Sequence, residues 1–377
     1  MVQATKFGQF KGMDNIHDDI ELPNDILRRA INVDVLDSGR LRRRKGSAQA
    51  LAVANPHSMW SDGARAYFIL ADAMREFHTN GTSTSLGAFA AGANHAAYVK
   101  VGTDVFATCK TAQGRIRAGV LSPWGVEVPT SPPTLAATAG VLPAGTYQAA
   151  VTYLLADGRE SGASRLASIT LAADGGVATT AMPVPLNAAV TRKRLYLSTS
   201  NGEVLFMAAE LLAADQFANI GSPAAGAALR TAYLSPPPAG TALAHVNGTI
   251  FIVDANNPTI LWHTEAFDYD HVDTRKNYYQ YGAPISVIAA VADGLYVCAD
   301  NTYFLPRAGS RDAGQRVVLE FGAVAGSAAA IPNTANVIWM TERGPVIGKD
   351  SGVVELLADK RIASGNMTDA AAVVSGP

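Results

Sequence analysis

Apolar residues in this chain come in short runs rich in Val, Ile, Tyr and Phe, and turn residues interrupt them every few positions. That is the pattern of strands rather than helices. A helical period is scarce. The best amphipathic stretch is Leu205 to Phe217, whose later part is predicted helical, and one further turn of helix is predicted over Pro23 to Arg29. Elsewhere one unit recurs: an apolar run, a turn of two or three residues, then a second run opening on an aromatic or bulky residue. The clearest copies are Ala242 to Val253, turning at Asn247-Gly248, and Val287 to Cys298, turning at Asp293-Gly294. Such dipeptides are strong hairpin signals, because a type I′ turn needs positive φ at both central residues. Weaker copies start at His57, with Asp62-Gly63, and at His95, with Gly102. A fifth runs from Ala328 through Asn336 and Arg343-Gly344.

The copies at His57 and His95 start 38 residues apart, and those at Ala242, Val287 and Ala328 start 45 and 41 apart. A period of ~40 residues is that of a propeller blade, and a radial array hides most of its sheet edges. The competing architecture is a β-sandwich with long hairpins. The spacing breaks between the second and third copies. There, Pro129 to Pro133 and Ser235 to Gly240 read as linkers around a segment with a Tyr-rich strand, Tyr147 to Tyr153, and alternating strands at Ser168–Leu171 and Arg194–Ser198. About 100 residues of this kind suit a sandwich domain. The predicted fold is all-β, a β-propeller with an inserted immunoglobulin- or fibronectin-like β-sandwich. Its parts are an N-terminal arm and hairpin (1–50), first blades (51–128), the inserted sandwich (129–238) and remaining blades (239–377).

Composition narrows the function. With 377 residues, 48% hydrophobic and 16% charged, the chain is long enough for two or three domains and too apolar for disorder. Thirty basic against 32 acidic side chains exclude a protein held to nucleic acid by bulk charge. Two cysteines, Cys109 and Cys298, make neither a disulfide framework nor a metal cluster, and both read as buried strand residues. The N-terminus carries no apolar signal core, so no export by the usual route is predicted. The longest apolar stretches, such as Ala323 to Ile331, fall far short of the ~20 residues of a membrane helix.

Candidate chemistry is sparse. No Gly-x-Ser-x-Gly elbow or Walker loop occurs, and Gly309 to Gly314 reads as a turn. The densest ionisable run, His263 to Asp273, holds the residue types of a metal site. The competing reading is a polar loop leaving a blade, its acids in water or capping turns. A second acidic patch, Asp14 to Glu21 with Asp25, lacks the ligand spacing of a calcium loop and reads as a solvated or partner-facing arm. Trp60, Trp124, Trp262 and Trp339 could stack on sugars, but three lie in blade-like strands, where core packing is their expected role. The one charge feature of functional interest is Arg40, Arg42, Arg43, Arg44 and Lys45, on a hairpin around Asp37-Ser38-Gly39. Residues 28–45 hold seven basic and two acidic side chains. In a strand, Arg42 and Arg44 share one face while Arg43 and Lys45 share the other. Both faces cannot enter a dry core, so this segment is predicted to meet DNA, a partner or solvent; a charged edge protected from pairing is the plainest case.

Several strings together resemble the tail nozzle proteins of short-tailed bacteriophages, also called tail hub, tail tubular or packaged-DNA stabilisation proteins. They are Phe7 to Ile16, Ala30 to Val35 through Gly39 to Gly46, His57 to Gly63, Trp124 to Pro129, Leu142 to Tyr147, Ala156 to Gly162, and Leu261 to Asp268. The resemblance covers most of the chain in pieces, and none of its motifs is catalytic. It implies a structural virion protein assembled in the host cytoplasm. It further implies a homohexameric ring below the portal and adaptor that continues and closes the DNA channel, tail fibres as further partners, no cofactor, no metal, no enzymatic activity and no membrane anchor. The alternatives are a receptor- or glycan-binding tail-tip protein and a propeller hydrolase.

Overall fold

Short runs of β-branched and aromatic residues cannot bury both of their faces alone, so they pair into ladders that stack on one another. The computed structural model describes residues 8–46, 48–310, 313–357, 361–362, 367–368 and 370–372. In the arm, β1 (Gly12–Met13) pairs in parallel with β2 (Ile26–Leu27), and β3 (Val33–Val35) pairs antiparallel with β4 (Leu41–Arg43). A first four-stranded meander holds β5 (His57–Ser61), β6 (Ala66–Leu70), β7 (Ala73–Phe77) and β8 (Ser83–Ala88). The second holds β9 (Ala97–Val101), β10 (Asp104–Thr108), β11 (Gln113–Arg117) and β12 (Val120–Ser122).

Seven strands interrupt the series: β13 (Thr134–Leu142), β14 (Gly145–Leu155), β15 (Ala167–Leu171), β16 (Gly175–Ala181), β17 (Val190–Ser198), β18 (Leu205–Leu212) and β19 (Ala218–Ile220). They form two sheets, ordered β13-β16-β19 and β15-β14-β17-β18, with one core between them that includes Tyr147, Val151, Val177, Leu195 and Ile220. Three meanders follow. The third is β20 (Gly240–Val246), β21 (Thr249–Asp254), β22 (Ile260–His263) and β23 (Tyr278–Gln280). The fourth is β24 (Val287–Val291), β25 (Gly294–Cys298), β26 (Thr302–Pro306) and β27 (Arg316–Leu319). The fifth is β28 (Ala329–Ala330), β29 (Val337–Thr341), β30 (Gly344–Gly348) and β31 (Val354–Leu356). Among the described residues the sole helical element is a 3-10 turn, Asp350–Gly352.

The second strands explain how the meanders stack. Successive side chains of a strand point to opposite faces. On β10, Val105 and Ala107 face the first meander, while Phe106 packs with Ile250 and Ile252 of β21. On β21 the alternate residues Phe251 and Val253 turn instead to Leu295 and Val297 of β25. On β25, Tyr296 and Cys298 turn the other way, onto Trp339 and Val346 of the fifth meander. Each inner sheet is thus buried on both faces. Among the described residues no apolar cluster joins the fifth meander back to the first.

Three local expectations need correction. Leu205 to Phe217 is not helical: Leu205–Leu212 is strand β18, paired along β17 with one register shift. Its apolar run is short, and a ready partner ladder decides such ambiguous runs. Pro23 to Arg29 holds turns and the short β2, not a turn of helix. At Asn247-Gly248 both φ are positive (52° and 70°), as a type I′ turn requires. At the β24–β25 hairpin the central pair is Ala292-Asp293, and Gly294 opens β25. Gly294 serves packing rather than turning, because a Cβ there would sit 2.5 Å from the Leu305 carbonyl oxygen. The unsignalled terminus (residues 1–7) and part of the 309–314 turn (Arg311, Asp312) lie outside the described residues.

Candidate functional site

The basic run outlasts the strand that its pattern predicts. Val33 pairs with Arg43, Asp34 with Arg42 and Val35 with Leu41, so one face of the hairpin carries Asp34 and Arg42 and the other carries Val33, Val35, Leu41 and Arg43. Arg44 and Lys45 lie past the end of β4 and line a cleft of about 600 Å³ together with Asn32, Arg43 and Gly46. The turn closes with Leu36 N–H donating to Arg40 O at 2.9 Å, and the tip is tied to the arm by Phe10 N–H donating to Gly39 O at 2.7 Å. Gly39 has φ 72°, and a Cβ there would overlap Gln9, so glycine is needed on both counts. Arg44 pairs with Asp34 at 2.7 Å. Arg40, Arg42, Arg43 and Lys45 are exposed and have no carboxylate partner among the described residues. Leu41 and Val35 are exposed beside them. The ribbon therefore presents both faces to solvent.

The acidic patch of the arm splits. Asp14 is buried and accepts hydrogen bonds from the Ile16 and His17 backbone N–H groups, with His17 Nδ1 at 2.8 Å from its Oδ2. Asp18, Asp19 and Glu21 are exposed. Among the described residues, no group of three or more His, Cys, Asp or Glu side chains is arranged to hold a metal.

The run His263 to Asp273 is not a solvated loop. Asp270, His271 and Asp273 are all buried, and the first two tie three parts of the chain together. Asp270 accepts from Arg115 of β11 at 3.0 Å, from Arg159 of the β14–β15 connection at 3.0 Å, and from the Gly125 N–H at 3.2 Å. Arg115 also donates through Nε to Asp104 of β10 at 2.9 Å, and Arg117 donates to the same carboxylate at 2.8 Å. Arg159 donates further to the Pro123 carbonyl oxygen. His271 lies between Asp268 (2.8 Å) and the Glu160 carbonyl oxygen (2.7 Å). Burial pulls its pKa down, but the hydrogen bond and charge of Asp268 outweigh that and hold it above the ordinary imidazole value. Trp124 N–H donates to Tyr269 O at 2.7 Å and packs on Phe106. Every charge at this junction is answered, which is what burial demands. Asp273, held at about 2 chiefly by its hydrogen bond from Arg275, caps the turn that follows. The sequence pattern left Asp104, Arg115 and Arg117 unread. The available signal was Arg115-Ile116-Arg117, where a buried Ile is flanked by charges inside a strand.

Besides a cleft of about 600 Å³ at the ribbon and one of about 250 Å³ in the seven-stranded unit, three cavities lie among the meanders. One of about 520 Å³ lies at the end of the fourth and fifth meanders, with Asp300, Glu320 and Glu342 around Phe321 and Val324. A second, about 590 Å³, is lined by His263, Glu265, Lys276, Tyr278, Tyr279 and Ser310. The third, about 470 Å³, is bordered by Trp60, Tyr98, Leu243, Ile288 and Ala328, so all five meanders meet it through their first strands or the segments leading into them. Of the tryptophans, Trp124 and Trp339 are buried, and Trp262 donates to Asp254 at 2.7 Å. Cys109 and Cys298 are free and buried. No described helix is long and apolar enough to cross a membrane.

No family model matches the chain, and no curated protein matches it significantly. Among solved structures, virginiamycin B lyase from Staphylococcus aureus aligns over 80% of this chain and 83% of its own, at 12% identity and a TM-score of 0.33. AztD from Citrobacter koseri aligns over 86% and 89%, at 13% identity and a TM-score of 0.29. Hsv2 from Kluyveromyces lactis aligns over 76% and 71%, at 6% identity and a TM-score of 0.26. Scores this low carry no argument about shape or activity.

Proposed function

We propose that this chain is a structural component of a short-tailed phage tail, the nozzle, which forms a ring below the portal and adaptor and continues and closes the DNA channel. In this reading the five meanders are propeller blades, residues 129–238 are an inserted fibronectin-like sandwich, and the protein is neither an enzyme nor a cofactor carrier. The sequence resemblance supplies the phage context. The serial cores and the cavity met by all five meanders support the propeller.

The observation that carries the assembly reading is the β3–β4 hairpin. A two-stranded ribbon is marginal by itself, and this one has both faces exposed and four unpaired cations. Such a ribbon is fitted to a partner. The shared cavity of about 470 Å³ is of small-ligand size, so the DNA channel in this reading lies between copies rather than down one chain's axis. Light scattering and negative-stain imaging of the purified chain, alone and mixed with a portal–adaptor complex, test the proposal. A six-fold ring in either sample supports it. A monomer that ignores the adaptor overturns it.

One observation favours a second reading, a glycan-binding tip protein. The 590 Å³ cleft combines the Glu265–Lys276 ion pair (3.2 Å) with the half-exposed ring of Tyr278. Saturable oligosaccharide binding lost in Tyr278→Ala would establish it.

A further inference from the structure

We infer that the basic hairpin of one copy docks in the acidic cleft between the fourth and fifth meanders of a second copy. The inference rests on the homo-oligomeric part of the proposed function and names its interface. Two surfaces carry it.

The first is the hairpin face formed by Val33, Val35, Leu41 and Arg43, with Lys45 just past the strand end. It is apolar at its centre and cationic toward its open end. Val35 is 37% exposed and Leu41 is 41% exposed, and neither belongs to an apolar cluster among the described residues. Arg40 and Arg42 add unpaired charge at the rim. The second surface has the complementary charge. Its cleft of about 520 Å³ has a mainly polar surface over the buried Phe321 and Val324, and Asp300, Glu320 and Glu342 stand around it, all exposed. Glu320 and Glu342 have no cationic partner among the described residues, and Asp300 accepts from Tyr303 and Asn301. One cation stands at the cleft among the described residues: Arg343 lies over the Phe321 ring at 4.8 Å. The rim is therefore net acidic by two charges.

A strip edged with cations meets a polar cleft edged with acids. Complementary charge of this kind steers encounter and fixes register, and docking covers the exposed Val35 and Leu41. Hairpin and cleft are different surfaces of one chain, so the contact is head-to-tail. Head-to-tail contacts generate a ring when the rotation closes. Because the rim charges are exposed, association weakens as salt rises.

The test uses the full chain and light scattering across protein concentration and ionic strength. The wild type is expected to associate, with an apparent association constant falling roughly tenfold or more from low to high salt. Two charge-reversed variants follow, one carrying Arg40→Glu, Arg43→Glu and Lys45→Glu, the other Glu320→Lys and Glu342→Lys. Each is expected to be monomeric alone, and their equimolar mixture is expected to form a mixed complex. Recovery on mixing excludes misfolding as the cause of monomer formation. Assembly that survives both variants overturns the inference and leaves the ring reading standing. A wild type that stays monomeric at every salt overturns the inference, and the ring reading falls with it only if the portal–adaptor complex also fails to assemble the chain. A monomeric wild type that binds duplex DNA, and loses that binding in the hairpin variant, assigns the cations to DNA instead.

Discussion

Asp270 accepts from three donors that are all more than 100 positions away from it: Arg115 on a strand of the second meander, Arg159 in the loop between β14 and β15, and the Gly125 backbone just after β12. A buried carboxylate in that position is a clamp, and removing its charge leaves two arginines with fewer acceptors. Asp270→Asn should cost about 2–4 kcal/mol, read as a lower urea midpoint with an unchanged slope. His271 beside it makes the clamp pH-sensitive. Its folded pKa lies above the unfolded value, so its stabilisation is complete below about pH 6.5 and is lost as pH rises through the folded value. His245 and His263 are pushed the other way by burial and lose stability as pH falls below the same point. The measurement is therefore a difference. The gap in unfolding free energy between wild type and His271→Gln should shrink as pH rises, and a gap independent of pH would refute the assignment.

At the scale of the element, the strands are held as much by what is absent as by what packs. Gly294 begins β25 with the Leu305 carbonyl oxygen and the Phe304 ring where a Cβ would stand, at 2.5 and 2.6 Å. Gly294→Ala should destabilise by about 1–3 kcal/mol through overpacking, although its φ is not positive. A circular dichroism melt of that variant should show a lowered midpoint with the strand signal intact at low temperature. β18 carries the complementary lesson. Leu205 to Leu212 has good helix formers, yet Glu210 meets both Arg192 (2.7 Å) and Arg194 (3.0 Å) across the strand pair, and β17 supplies the ladder. Partner strands outweigh intrinsic preference in so short a run.

At the scale of the whole molecule, the seven-stranded unit is not a loosely tethered guest. Arg159 and the Glu160 carbonyl oxygen reach into the junction at Asp270 and His271. Deleting residues 134–234 with a short linker should leave a strand-rich remainder that unfolds at lower urea than the full chain. In that remainder Asp270→Asn should cost less than in the full chain, because Arg159 is already gone. An equal cost in both would show that the junction does not couple the two parts.

The sequence by itself determined much of the element plan. Alternating apolar residues and turn dipeptides marked the hairpins at Asn247-Gly248 and Asp62-Gly63, the β3–β4 ribbon around Gly39, and the opposite faces of Arg42 and Arg43. These features are local: a turn type or a period of two is written in adjacent residues. Tertiary structure alone decided three other things. It made Leu205–Leu212 a strand, since its partner lies in β17. It set Gly294 against a carbonyl of the adjacent strand, β26. It drew Asp104, Arg115, Arg159 and Asp270 into one buried network, although the first and last of these are more than 150 positions apart in the chain. No sequence window contains such a network. A charged residue declares whether it is paired or solvated only when the fold removes water from around it.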